Sequence, residues 1–116
     1  MLKRSIKRDK FHIVLISEAI EKIEDFTRNK QYGRYLDDEM LFDAIAMNLA
    51  VIGERVKSLS DSFKKKNPQI PYIKIIGMRN LLTHKYHERK KKVIWDTCKD
   101  DLPELKKIVE KSLKDA

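Results

Sequence analysis

The placement of three glycines and three prolines constrains this chain more than any other feature. Over 116 residues they fall mostly between stretches whose apolar side chains recur every three or four positions. That is the period of an α-helix with one buried face, and the breakers mark the joints between helices. No stretch alternates apolar and polar residues at every second position, so strands are not expected. The pattern predicts an all-α fold: an antiparallel four-helix bundle with short extra helices.

The first helix should run from about Asp9 to Arg28, with Phe11, Leu15, Ala19, Ile23 and Phe26 on its inner face. Val14, Ile16 and Ile20 widen that stripe. A polar connection around Gly33 follows. The second helix should open near Asp37, a good N-cap, and bury Leu41, Ile45, Leu49, Ile52, Val56 and Leu59. Gly53 interrupts it at a cost of about 1 kcal/mol relative to alanine, so a close helix contact is expected there. Between Ser60 and Gln69 the chain is basic, with one short helical turn around Phe63. Pro71 can open a third long helix through Ile73, Ile76 and Leu82 to about His84, because a first turn tolerates a missing amide donor. Val93, Ile94, Trp95 and Cys98 suggest a short helix. Asp101-Leu102-Pro103-Glu104 reads as a capping box opening a last helix. Leu102, Leu105, Ile108, Val109 and Leu113 give that helix its inner face.

Length predicts one domain over residues 1–116, with residues 1–8 as a basic extension. The 41% apolar content can supply its core. Lysine and arginine number 26 against 18 acidic residues, a net charge of +8 that favours phosphate-rich partners such as nucleic acid. Cys98 is the one cysteine, so an internal disulfide is excluded. The first residues lack the apolar stretch of a signal peptide, and no apolar run reaches membrane-spanning length. A cytoplasmic protein without a membrane partner is expected.

The chemistry gathers in Arg79-Asn80-Leu81-Leu82-Thr83-His84-Lys85-Tyr86, which runs on to Arg89-Lys90-Lys91-Lys92. A histidine can move a proton near neutral pH, and an arginine can hold a phosphate with a planar fork of donors. On an ideal helix Asn80 and His84 lie about 40° apart on one face, whereas Arg79 and His84 lie roughly 140° and 7.5 Å apart. The two converge if the arginine stem reaches round, if the helix ends at His84, or if a second copy faces the first. His84, His87 and Glu88 lack a third convergent metal ligand and stand in a lysine-rich setting, so no metal and no cofactor are expected.

This segment resembles the R-x(4)-H-x-Y signature of HepT-like proteins, a branch of the HEPN superfamily of helical ribonucleases and toxins. Ile52-Gly53-Glu54 is similar to a Gly-Glu pair in that family. The order Pro68, Pro71, motif, Val93-x-Trp95 and Asp101-Leu102-Pro103-x-Leu105 is similar to its layout. Tyr72 stands where a tryptophan is common. The resemblance implies a metal-independent endoribonuclease toxin with a composite cleft in a homodimer, acting on tRNA or mRNA. Arg79 and His84 would be catalytic, with Asn80 and Glu54 in support. Lys85, Arg89, Lys90, Lys91 and Lys92 would hold the RNA backbone. The implied partner is an MntA-like nucleotidyltransferase antitoxin that places AMP on Tyr86. The alternative is a non-catalytic helical subunit that binds nucleotide or the nucleotidyltransferase.

Overall fold

A computed structural model describes residues 2–83 and 88–115, with side chains described over 7–80 and 91–115. The elements in chain order are α1 (Leu2–Thr27), α2 (Tyr32–Leu36), α3 (Glu39–Lys57), α4 (Asp61–Lys66), α5 (Tyr72–Gly77), a 3₁₀ helix (Met78–Thr83), α6 (Glu88–Asp96), a π-helical turn (Thr97–Asp101) and α7 (Leu102–Asp115). The described residues contain no strand, and the fold is all-α and HEPN-like.

At the centre lies α3, packed on α1, on α5 and the 3₁₀ helix, and on α2. Its expected stripe is the observed one, with Ile45, Ile52 and Val56 fully buried. The helix opens one residue later than expected, at Asp38, whose carboxylate accepts from the Leu41 amide at 3.0 Å. The stripe of α1 is rotated from the expected one. Ile13, Ile16, Ala19, Ile20 and Ile23 face the core, while Phe11 is 58% exposed and lies under the Arg55 guanidinium. α1 also starts at Leu2, because residues 2–8 contain no helix breaker. Two joints keep the bundle in register. Asp9 accepts from the backbone and hydroxyl of Ser60 at 2.8 and 2.6 Å, and Ser60 in turn caps α4. Tyr72 Oη donates to the Asn67 carbonyl at 2.8 Å, across the proline-containing turn.

Two expectations fail. The third long helix is instead α5 followed by a 3₁₀ stretch, with the change of winding just after Gly77, a poor helix former. Within it Ile75 is buried, whereas Ile73 is 92% exposed. The final helix does not open at Asp101. The chain passes from α6 through the π turn into α7 without a break, and the Leu102 amide bonds the Thr97 carbonyl five residues back. A π turn widens the backbone just where Pro103 would otherwise clash with a carbonyl of the preceding turn. Asp101, freed from capping, pairs with Lys74 of α5.

Candidate active site

The upstream half of the Arg–His segment is placed by α3. Gly53 is buried and faces the last turn of α5. A Cβ there would stand 2.6 Å from the Ile75 carbonyl oxygen and 3.3 Å from both the Ile76 oxygen and the Arg79 nitrogen. Only a glycine lets the two backbones come this close. The next residue, Glu54, reaches the guanidinium of Arg79, with Oε2 to Nη1 at 3.5 Å. This pair lies at the surface rather than facing inward, as the side chains are 39% exposed for Arg79 and 56% for Glu54. Gly53 therefore sets the height of the Arg79 backbone, and Glu54 sets the direction of its side chain. Among the described residues Glu54 is the ion-pair partner of Arg79, at 3.5 Å, and the guanidinium carries five N–H donors on a partly exposed side chain.

Asn80 is exposed and engaged with a neighbouring group. The turn carrying both residues is 3₁₀, where each step is about 120° and residues three apart eclipse. The 100° step that placed Asn80 beside His84 does not apply within this turn. His84, Lys85 and Tyr86 lie outside the described residues. The backbones of Arg89 and Lys90 belong to α6, and their side chains lie outside the described set.

The rest of the basic run divides. Lys92 pairs with Asp96 one turn on, Nζ to Oδ2 at 2.8 Å, in an exposed pair that raises the lysine pKa through that hydrogen bond and charge. Lys91 turns toward the fold. Its Nζ donates to the Leu36 carbonyl at 3.1 Å and lies 5.4 Å from the centre of the Phe42 ring. Sequence reasoning treated it as one of five equivalent cations, with Lys85, Arg89, Lys90 and Lys92. The signal it lacked was Tyr35, one of two tyrosines in the connection around Gly33, which proves wholly buried.

Other candidates do not join this site. His12 is half-buried on α1, and its Nδ1 is buried without a hydrogen-bond partner among the described residues. Burial, then the nearby Arg55, hold its pKa below the ordinary value. Burial pushes the Cys98 thiol up to about 12, so this cysteine is a poor nucleophile. Among the described residues no group of three or more His, Cys, Asp or Glu is placed to hold a metal. No helix among them is long and apolar enough to cross a membrane.

Comparison with known proteins agrees with the layout. The family described as ribonuclease HepT-like matches residues 16–112. The chain is similar to "Probable ribonuclease HepT" of Thermococcus cleftensis, at 40% identity over 83% of this chain and 87% of that one. It is also similar to "Putative RNase MJ1216" of Methanocaldococcus jannaschii, at 36% identity over 99% of this chain and 93% of that one. No solved structure matches the chain at comparable significance. With a glycine-built seat for Arg79 on α3 and a family match across nearly the whole bundle, the chain belongs to the HepT-like ribonuclease family.

Proposed function

We propose that this HepT-like ribonuclease is a homodimeric endoribonuclease toxin that cleaves RNA by attack of a ribose 2′-hydroxyl on the adjacent phosphate. The observation that carries the reading is the seating of Arg79. Gly53 and Glu54 hold its guanidinium at the surface, five residues before His84, with donors available for a phosphate. His84 takes the 2′-OH proton, and a histidine, of this chain or its partner copy, returns one to the leaving 5′-oxygen. Arg79 stabilises the charge that builds on the phosphoryl oxygens. Asn80 orients His84. Lys85, Arg89 and Lys90 hold the backbone of the RNA, and Lys92 can exchange its exposed carboxylate for a phosphate.

Pairing of two copies through this segment is supported by Ile73. It is a 92% exposed isoleucine on α5, two residues from the contact with Gly53. A second copy would cover it and bring a second motif to the cleft. Control follows from the resemblance to HepT-like toxins. A nucleotidyltransferase of the MntA type would join the α-phosphate of ATP to the Tyr86 phenol oxygen, releasing pyrophosphate and the phenolic proton. The added anion would occupy the phosphate seat and reduce the local positive potential.

Purified Arg79→Ala and His84→Ala proteins should lose RNA cleavage and keep wild-type helical circular dichroism. Cleavage undiminished in both would defeat the reading. A wild-type protein that binds nucleotide or a nucleotidyltransferase but cleaves no RNA would identify the non-catalytic subunit instead.

A further inference from the structure

Residues 84–87 join two elements, and each end of the join is held separately. The upstream end is seated by Gly53. The downstream end is the first turn of α6, and that turn is poorly stabilised by its own sequence. After Glu88 the sequence of α6 runs Arg89-Lys90-Lys91-Lys92, a basic stretch close to the helix N-terminus, where the dipole disfavours positive charge.

A reciprocal clamp compensates. Tyr35 Oη donates to the carbonyl oxygen of Lys91 at 2.8 Å, while Lys91 Nζ donates to the carbonyl oxygen of Leu36 at 3.1 Å. The two bonds run in opposite directions between α2 and α6. Tyr35 is wholly buried, with its ring centre 4.8 Å from that of Trp95 and 5.9 Å from that of Phe42. The lysine ammonium completes the stack over Phe42 at 5.4 Å. Sterically, then, Tyr35 cannot move without displacing α3 and α6 together.

We propose that Tyr35 and Lys91 are positioning residues for cleavage, fixing the first turn of α6 and with it the return of the segment that carries His84 and Tyr86. The proposal rests on the reading of His84 as the proton-transfer group. In sequence His84 precedes Glu88, the first residue of α6, by four residues, a chain length of at most about 14 Å. Lys91 accordingly leaves the set of RNA-backbone contacts. Its ammonium faces a carbonyl and a ring, and its own carbonyl receives the tyrosine.

The test compares steady-state cleavage of one RNA by wild type, Tyr35→Phe, Lys91→Met and Lys91→Arg, with His84→Ala as the control for the site. Tyr35→Phe and Lys91→Met should each lower kcat on the order of 10- to 100-fold with KM held within about twofold, the signature of a misplaced catalytic group. Lys91→Arg keeps a donor and should recover most of kcat. A Lys91→Met protein with raised KM, a weaker salt dependence and unchanged kcat would make Lys91 a phosphate contact and overturn the proposal. A Tyr35→Phe protein with lowered Tm and full kcat would also overturn it. If Tyr35→Phe does not fold, the Lys91→Met and Lys91→Arg pair decides by the same criterion. Cleavage retained by His84→Ala would overturn the site reading and the proposal with it, and no other variant produces that result.

Discussion

Gly53 meets the carbonyl of Ile75 so closely that an added methyl group would stand 2.6 Å from the oxygen. The approach is backbone to backbone, between the C-terminal part of α3 and the end of α5 leading into Arg79. It explains why a residue that weakens a helix is found inside α3, a helix with a long buried face.

Gly53→Ala should therefore destabilise despite alanine's better helix propensity. The gain of about 1 kcal/mol is outweighed by overpacking, which costs typically about 1–3 kcal/mol and falls on a backbone oxygen that cannot swing away. Denaturant unfolding should show a lower midpoint with an unchanged slope. RNA cleavage should fall as well, because the displaced backbone is that of Arg79.

Glu54→Gln separates stability from activity. The Glu54–Arg79 pair is exposed on both sides, and such pairs contribute about 0–1 kcal/mol. Its removal should leave Tm nearly unchanged while lowering RNA cleavage, since Arg79 loses the carboxylate that directs it. An equal loss of both would mean the pair acts only as a strut.

Asp9→Ala should be the costlier of two acidic substitutions. The carboxylate satisfies both the amide and the hydroxyl of Ser60 in a buried joint. Leaving those donors unpaired costs about 1–3 kcal/mol, readable as a drop in Tm, against a near-neutral Glu54→Gln.

His12 gives stability a pH dependence of known sign. Burial first, and then the positive charges of Arg55 and Arg8, lower its pKa below the ordinary 6.5, against an opposing pull from Asp9. A lowered folded-state pKa means the unfolded chain binds the proton more readily. This contribution is complete above pH 6.5 and is lost as the pH falls toward the folded value. Unfolding midpoints should fall as pH drops below 6.5, and less steeply in His12→Gln. A midpoint rising with acid in the wild type and not in the variant would contradict this.

The legible parts of the fold were those fixed by local chemistry. The stripe of α3 and the inner face of α7 follow from apolar spacing, whereas the Ser60 cap of α4 was not part of the sequence reading. Contacts between distant residues were not legible. Spacing could not show that Phe11 would lie outside under Arg55, because Ile13, Ile16 and Ile20 offer an equally periodic face one step round. Nor could it show that Asp101 would leave its capping role for Lys74, so that α6 runs on into α7. In the site, the residue types and their order were readable. The winding was not, since the 3₁₀ turn at Arg79 depends on how α5 meets Gly53. The division of Lys91 from Lys92 depends on a tyrosine 56 residues away from Lys91.

The most direct test of the central claim is the chemistry of the cut ends. RNA cleaved by the purified protein in the presence of EDTA should carry 2′,3′-cyclic phosphate and 5′-hydroxyl termini, and those ends should vanish with His84→Ala. Products bearing 3′-hydroxyl and 5′-phosphate ends, or cyclic ends formed equally well by His84→Ala, would contradict the account.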